Sequence, residues 1–219
     1  MKPIAVILSG AGVFDGSEIH EAVLTLLALS RAGVPYRCYA PDRDQLHVVN
    51  HLTGEVAEGE RRNILVEAAR IARGEIQPLS ALSAEAHAAV ILPGGFGAAK
   101  NLCDFAVTGA ECQVAEDVSQ ACRSFIQAGK PSGYVCIAPI MMPRIFGEGV
   151  RGTIGTDVDT AAAFNLMGGD HQSCPVQEVV VDPSHKVVST PAYMLAGNIA
   201  EAAEGIEKLV AEVLAMCER

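Results

Sequence analysis

Among the residues of this chain, Cys136 has the sequence context that best fits a nucleophile. It follows the apolar run Gly133-Tyr134-Val135 and precedes Ile137-Ala138-Pro139, a pattern typical of a strand that turns sharply into a helix. The positive end of a helix dipole and free backbone N–H groups favour a thiolate at such a turn, and the same groups can hold an oxyanion. We therefore predict a cysteine nucleophile; the alternative is a buried cysteine that acts as a small hydrophobic residue.

Acidic side chains crowd the start of a predicted helix after the first apolar run. Asp15 and Glu18 have the spacing of a capping box, with Asp15 as the N-cap. That pattern leaves Glu21 without a structural role, and its spacing from Glu18 places both carboxylates on one helix face. We expect one of them to lie over the nucleophile. The glycines of residues 10–16 superficially match a dinucleotide fingerprint, but these acidic side chains would repel a pyrophosphate at the same helix start.

A glycine-rich loop, Pro93-Gly94-Gly95-Phe96-Gly97, follows another strand-like segment. Backbone N–H groups exposed by glycines are what an oxyanion hole needs, and the alternative is a loop whose glycines only serve turn geometry. In open parallel sheets, ligands bind beyond the carboxyl ends of the strands. We therefore expect this loop, the loop after Leu8 and the turn at Cys136 to converge.

Apolar runs of strand length alternate with segments of helical period along the chain. This order predicts an α/β fold with a mostly parallel sheet and helices on both faces. The predicted strands are 4–8, 34–40, 88–92, the run before Cys136, and an edge hairpin of 176–181 with 186–190. The predicted helices are 21–32, 62–73, 111–128 and a closing helix from Tyr193, while 42–61 is interpreted as a surface insertion.

Composition narrows the classes of function. A length of 219 residues with 50% hydrophobic content fits one domain over residues 1–219. The net charge of −10 lacks the basic footprint of a nucleic-acid binder, and no apolar run is long enough for a membrane span or a secretory signal. Seven cysteines without C-x-x-C spacing indicate reduced thiols in a cytoplasmic protein. Six scattered histidines form no metal motif, so we expect neither a metal nor a cofactor.

Several segments together resemble the superfamily of class I glutamine amidotransferases, PfpI-type intracellular proteases and cofactor-independent glyoxalases. Within it, the chain looks most similar to the ElbB-type branch of isoprenoid biosynthesis proteins with an amidotransferase-like domain. The resemblance spans nearly the whole chain. The segments that carry it are residues 6–10, 15–21, 50–54, 93–101, 136–139 and 190–194.

The resemblance implies a flavodoxin-like three-layer sandwich built from a single class I glutamine amidotransferase-like domain. It implies that Cys136 is the nucleophile on the elbow between strand and helix. Glu21 matches the acidic residue that contacts the thiol in PfpI-type relatives, and Glu18 is its supporting neighbour. A homodimer is also implied, although no residue of the sequence establishes it.

The resemblance further implies that the oxyanion is held by backbone N–H groups of Gly95 and Ile137, with Gly94 in the same substrate-binding loop. The chain departs from the family pattern downstream of the nucleophile, because no histidine occurs between Cys136 and His171. His171 is predicted to be a surface or structural residue. A Cys-His-Glu hydrolytic triad is therefore incomplete, which disfavours amidotransferase and protease activity.

Aldehyde chemistry fits the remaining groups best. A Cys136 thiolate would add to one carbonyl of glyoxal to form a hemithioacetal, Glu21 would move the proton from carbon, and water would release glycolate. The sequence thus predicts a glutathione-independent glyoxalase, a lyase, that acts on small aldehydes. Two alternatives stay open: a redox or electrophile sensor with an exposed, low-pKa Cys136, and an amidotransferase subunit with glutaminase activity.

Overall fold

The structure is a computed structural model that describes residues 1–217; the predicted domain range 1–219 ends at Glu218 and Arg219, which lie outside the described residues. The strands are β1 (Ile4–Ile7), β2 (Tyr36–Ala40), β3 (Val49–Asn50), β4 (Glu55–Val56), β5 (Ile76–Pro78), β6 (Ala89–Leu92), β7 (Ser132–Val135), β8 (Arg151–Gly152), β9 (Asp170–His171), β10 (Val180–Asp182) and β11 (Val187–Thr190). The α-helices are α1 (Ile19–Arg31), α2 (Ile64–Ile71), α3 (Phe105–Thr108), α4 (Glu116–Gln127), α5 (Met142–Phe146), α6 (Val158–Leu166) and α7 (Ile199–Cys217).

Seven of these strands form one sheet in the order β10-β11-β7-β6-β1-β2-β5. All neighbours pair in parallel except β10, which runs antiparallel to β11 at the sheet edge. The predicted α/β fold, flavodoxin-like with a mostly parallel sheet and an edge hairpin, is confirmed. The first strand of that hairpin is shorter than predicted, because β10 begins at Val180 rather than at residue 176.

Side chains of β1 alternate between two buried cores, as the period of a strand requires. Ile4 and Val6 face a core shared with α1, α2 and α7, whereas Ala5 and Ile7 face a core shared with α4, α5 and α6. All four side chains are fully buried. Because both faces of the sheet are covered, the central strands are apolar throughout and only their ends are free to present polar groups.

The predicted starts of α1 and α2 are within two residues of the observed ones, whereas the starts of α4 and α7 lie further along the chain than predicted. The helix predicted from residue 111 begins at Glu116, because Cys103 and Val114 form an antiparallel bridge that keeps the preceding segment extended. The closing helix begins at Ile199 rather than at Tyr193, which lies in a separate 3₁₀ turn. The bridge between Cys103 and Val114 also makes Cys103 and Cys112 neighbours, although no short sequence motif links them.

Candidate active site

The three loops at the carboxyl ends of β1, β6 and β7 meet at one point, as predicted. An added Cβ at Gly94 would lie 2.4 Å from Cβ of Cys136 and 2.7 Å from Oε2 of Glu21. These distances leave no space for a side chain at position 94. The glycine therefore allows the cysteine and the carboxyl group to approach each other across the loop.

Cys136 lies in a strained turn directly after β7. Its φ angle of 62° falls in the left-handed region, which costs a non-glycine residue about 1–3 kcal/mol. Its backbone N–H donates to the carbonyl oxygen of Thr190 at 2.9 Å, so the neighbouring strand β11 holds the turn in place. This is the geometry of a nucleophile elbow, with the sulfur presented beyond the sheet end.

The environment of Cys136 differs from the predicted one. A 3₁₀ turn over Ala138–Met141 leads into the short helix α5, so the helix dipole contributes little. Burial raises the pKa of Cys136 well above its usual value and the charge of Glu21 raises it further, although the N–H groups of Gly95 and Ile137 donate to the sulfur and lower it. Cys136 is also only 7% exposed. The prediction of an exposed, low-pKa thiol was therefore wrong.

Glu21 is fully buried in the first turn of α1 and has three hydrogen-bond partners. Its Oε2 accepts the N–H of Gly94 at 3.0 Å and its Oε1 accepts the N–H of Tyr193 at 3.1 Å. The carboxyl group also hydrogen-bonds the thiol of Cys136. Burial raises the pKa of Glu21 to about 8; the hydrogen bond from Tyr193 opposes the rise and the charge of Glu18 adds to it. At neutral pH the carboxyl group is therefore mostly protonated.

Glu18, and not Asp15, is the N-cap of α1. Its Oε2 accepts the N–H of Glu21 at 2.7 Å, and its own N–H donates to the carbonyl oxygen of Gly94 at 3.0 Å. Asp15 instead accepts the N–H of Val49 through Oδ2 at 2.8 Å, which fastens the loop to β3. The capping box predicted from Asp15 was wrong, because a long-range contact uses that carboxylate. Glu18 therefore contacts Glu21 through the backbone N–H of Glu21, at the start of α1.

The predicted oxyanion loop contains donors with two different uses. The N–H groups of Gly95 and Ile137 both donate to the Cys136 sulfur, so they point into the space beside the thiol. The N–H of Gly94 is occupied by Glu21, so Gly94 positions the carboxyl group and does not offer a free donor. Gly95 has a φ of 94°, which is a further reason for glycine at this position.

A cavity of about 430 Å³ lies above Cys136 and has the size of a small-molecule site. Its apolar lining residues are Val13, Phe96, Ala99, Phe105, Ala106, Ile137 and Met194, and its polar ones are Glu18, Asp157, Thr160 and Tyr193. No histidine of the described residues lines it. His171 lies elsewhere, where its Nε2 accepts the N–H of Ile154 at 3.2 Å and its ring packs against Phe164. The described part of the chain thus provides Cys136 with a carboxyl partner and no imidazole.

Tyr193 is a site residue to which the sequence assigned no role. Its backbone N–H holds Glu21, its side chain lines the cavity, and its hydroxyl forms a hydrogen bond of 2.9 Å with Nδ1 of His20. It belongs to the segment 190–194 that carried the family resemblance, which was the available signal. The role of Tyr193 as a backbone donor does not depend on its side chain, so the residue type alone could not predict it.

Residues 1–217 contain neither a cluster of metal ligands nor a membrane-spanning helix. Within that range, no group of three or more His, Cys, Asp or Glu side chains is arranged to hold a metal ion. No helix in the same range is long and apolar enough to cross a membrane.

Comparison with known proteins extends the family resemblance. No family model matches the chain. It is 46% identical over 220 residues to the mitochondrial glutamine amidotransferase-like class 1 domain-containing protein 3 of Homo sapiens, covering 96% of this chain and 82% of that protein. It is 34% identical over 207 residues to the mitochondrial ES1 protein of Danio rerio, covering 87% of this chain and 76% of that protein.

Solved structures agree with this assignment. The isoprenoid biosynthesis protein with amidotransferase-like domain from Ehrlichia chaffeensis is 36% identical and superposes with a TM-score of 0.92 over 99% of both chains. A ThiJ/PfpI domain protein from Brachyspira murdochii, 13% identical with a TM-score of 0.60 over 98% of this chain and 99% of that one, shares the fold alone. The predicted resemblance is confirmed, and the chain belongs to the family of glutamine amidotransferase-like class 1 domain proteins.

Proposed function

We propose that this chain is a cofactor-independent glyoxalase that converts glyoxal, and other small 2-oxoaldehydes, into hydroxy acids such as glycolate. One observation carries the proposal: the thiol of Cys136 is hydrogen-bonded to Glu21, a buried carboxyl group whose pKa is raised to about 8. A general base works best when its pKa is near the working pH, and an ordinary carboxylate is too weak a base for this task. The pair therefore combines a nucleophile with a base suited to neutral solution.

The first step is addition of the Cys136 sulfur to one aldehyde carbon of glyoxal. The deprotonated Glu21 carboxylate accepts the thiol proton as the carbon–sulfur bond forms and passes it to the carbonyl oxygen. That oxygen becomes the hydroxyl of a hemithioacetal, and Glu21 is again deprotonated for the next step. The N–H groups of Gly95 and Ile137, which point at the sulfur in the free protein, would stabilise the negative charge that develops on that oxygen. The strained turn at Cys136 keeps the sulfur on the cavity side of the loop.

The second step moves hydrogen between the two carbons of the bound substrate. Glu21 removes the proton from the carbon bonded to sulfur, and the oxygen of the second carbonyl takes the negative charge of the resulting enediolate. Glu21 then returns the proton to the neighbouring carbon while the hydroxyl proton of the first carbon moves to the second oxygen, which leaves a thioester of glycolate. Water then adds to the thioester, the carbon–sulfur bond breaks, and glycolate leaves while the thiol is restored. Glyoxal plus water gives glycolate and one proton, so the reaction needs no external electron acceptor or donor.

The test is formation of glycolate from glyoxal, and of lactate from methylglyoxal, without glutathione or added metal. In D2O, a proton that passes through Glu21 exchanges in part with solvent, so we expect deuterium at C2 of the glycolate, detected by NMR. Product without deuterium would contradict the Glu21 shuttle. A wild-type protein that forms no hydroxy acid would contradict the glyoxalase proposal as a whole.

The two alternatives from the sequence have less support at this site. A glutaminase of the triad type needs an imidazole base beside the thiol, and among residues 1–217 none lines the cavity. A sensor needs an exposed thiol of low pKa, whereas Cys136 is buried and its pKa is raised. Glutamine hydrolysis and peroxide sensitivity of Cys136 are therefore control assays for the proposal.

The proposal includes a homodimer in the cytoplasm with a small aldehyde as ligand and no nucleic-acid or membrane partner. Ile19, Val23 and Leu27 form a partly exposed apolar row along one face of α1, which a second copy of the chain would cover. Light scattering should give a dimer mass for the wild type and a monomer mass for Val23→Lys. Since the named relatives are mitochondrial, cell fractionation is needed to test the compartment.

A further inference from the structure

Two buried thiols outside the active site, those of Cys103 and Cys112, are neighbours at the base of the loop that contains α3. Cys103 pairs with Val114 in an antiparallel bridge, and the N–H of Asp104 donates to the carbonyl oxygen of Gln113 at 3.2 Å. This pairing places Cys112 diagonally opposite Cys103. The Cys103 thiol donates to the carbonyl oxygen of Ala98 at 3.3 Å and the Cys112 thiol donates to the sulfur of Met167 at 3.4 Å, while each thiol shifts the pKa of the other. The two thiols are therefore neighbours, and because diagonal Cα atoms lie about 7–8 Å apart, a small shift of the loop backbone brings them within the range of a disulfide.

We propose that Cys103 and Cys112 form a reversible disulfide when the protein meets a hydroperoxide, while Cys136 remains a thiol. The bond would close the loop of residues 103–112, whose residues Phe105 and Ala106 line the cavity above Cys136. Oxidation would thus fix one wall of the active-site cavity. The effect on turnover rests on the proposed function, whereas formation of the bond does not.

The surroundings of Cys112 favour its thiolate. The Nη2 of Arg144 donates to the carbonyl oxygen of Ala110 at 2.7 Å, which holds the guanidinium near the sulfur. The neighbouring Cys103 thiol lowers the pKa of Cys112, and the positive charge of Arg144 lowers it further, against the opposing effect of burial. Because the thiolate is the form that attacks an oxidant, Cys112 is the attacking sulfur and Cys103 the resolving one.

The reaction balances with hydrogen peroxide as the oxidant. The Cys112 thiolate attacks one peroxide oxygen, the O–O bond breaks, and a sulfenic acid and one water form after proton uptake. The Cys103 sulfur then attacks the Cys112 sulfur, the S–S bond forms, the S–O bond breaks, and a second water leaves. The two thiols lose two electrons and two protons, and one peroxide is reduced to two waters.

The oxidant has a route to this pair. A surface cavity of about 400 Å³ is lined by Cys112 together with Gln113, Arg123 and Arg144. The side chain of Cys112 is not exposed to bulk solvent, so the loop must open locally. The residues of α3 are all at least partly exposed, and segments with few buried contacts open at low free-energy cost. Local opening of the loop is therefore the step that admits peroxide.

The test is disulfide mapping of the full chain by mass spectrometry. Reduced protein is treated with one equivalent of hydrogen peroxide, alkylated in denaturant, and digested with trypsin and Glu-C. Cleavage after Glu111 and Glu116 separates Cys103, Cys112 and Cys122, which trypsin alone leaves on one peptide. We expect a pair of peptides joined through Cys103 and Cys112, two hydrogens lighter than the reduced pair and released by a reductant.

Matched variants make the result decisive. Cys103→Ser and Cys112→Ser should each prevent the cross-link, while Cys122→Ser, which removes a nearby buried thiol, should retain it. Oxidation of Cys136 while Cys103 and Cys112 stay alkylated would overturn the proposal, and so would bonds from either cysteine to other partners. Disulfide mapping of the wild-type protein tests the proposal even if a serine variant fails to fold. A cross-link in a protein without glyoxalase turnover would refute the proposed function and leave the disulfide standing.

Discussion

The two thiol sites of this protein differ in the charge that faces each of them. Cys136 lies beside the carboxyl group of Glu21, whose charge adds to burial in raising the pKa of the thiol. Cys112 lies near the guanidinium of Arg144, which together with the Cys103 thiol lowers its pKa. Both thiols are buried and both are hydrogen-bonded, so neither burial nor residue type distinguishes them.

The comparison teaches that the neighbouring group decides which chemistry a buried thiol suits. A carboxyl group can exchange a proton with a thiol, so the pair of Cys136 and Glu21 suits proton transfer at carbon. A guanidinium cannot accept a proton, and it only stabilises the thiolate. With Cys103 as a second thiol within reach, Cys112 suits two-electron oxidation to a disulfide.

The largest expected effect separates the two sites by mutation. Cys136→Ala should lower kcat/KM for glyoxal by about a thousandfold or more, because it removes the attacking atom. Cys112→Ser should stay within about twofold of the wild type under reducing conditions, because its sulfur takes no part in the reaction. Glycolate formation measured for both variants checks this. Equal loss of activity in the two variants would break the comparison.

The next effect concerns the base at the first site. Glu21→Gln should lower kcat by about a hundredfold, since an amide cannot accept the proton. The wild-type rate should rise with pH and level off above about 8, because the raised pKa of Glu21 keeps the base protonated at lower pH. Rate profiles between pH 6 and pH 9.5 measure this. A flat wild-type profile would be inconsistent with Glu21 as the base.

The same raised pKa predicts a pH-dependent stability. Between about pH 4.5 and pH 8 the folded chain holds a proton on Glu21 that the unfolded chain has lost, so stability falls as pH rises through this window. The slope is at most about 1.4 kcal/mol per pH unit. Urea unfolding at several pH values should show the wild type losing stability relative to Glu21→Gln. A constant difference between the two proteins would mean that the carboxyl group is not protonated in the fold.

Local sequence patterns predicted most of the fold and the centre of the site. Apolar runs located β1, β6 and the strand before Cys136, because a buried parallel strand records its burial in consecutive residues. The glycine loop at 93–97 and the carboxylates near Glu21 were identified because tight approach and helix starts leave local signatures. Contacts between distant segments have no such local signature in the sequence. Whether Asp15 or Glu18 caps α1 is decided by the N–H of Val49, which no pattern in the first loop reveals.

The second thiol site was beyond the reach of sequence reasoning for a similar reason. Cys103 and Cys112 lack the C-x-x-C spacing that signals a dithiol, and their contact depends on the bridge between Cys103 and Val114. Val114 of that bridge lies in the segment 111–128 that helical periodicity predicted as a helix, whereas Cys103 lies before that segment. The sign of the pKa change at Cys136 also escaped prediction, because it depends on burial and on a carboxyl group brought by another element.

The smallest expected effect tests whether charge alone sets the difference between the sites. Arg144→Gln should slow formation of the Cys103–Cys112 cross-link by peroxide about threefold to tenfold at pH 7, since loss of the positive charge raises the pKa of Cys112. Arg144→Lys should stay near the wild-type rate, and alkylation of Cys136 should be the same in all three proteins. The loss of two thiols over time measures the rate. A faster cross-link in Arg144→Gln would show that the hydrogen bond to Ala110, by keeping the loop closed, outweighs the charge.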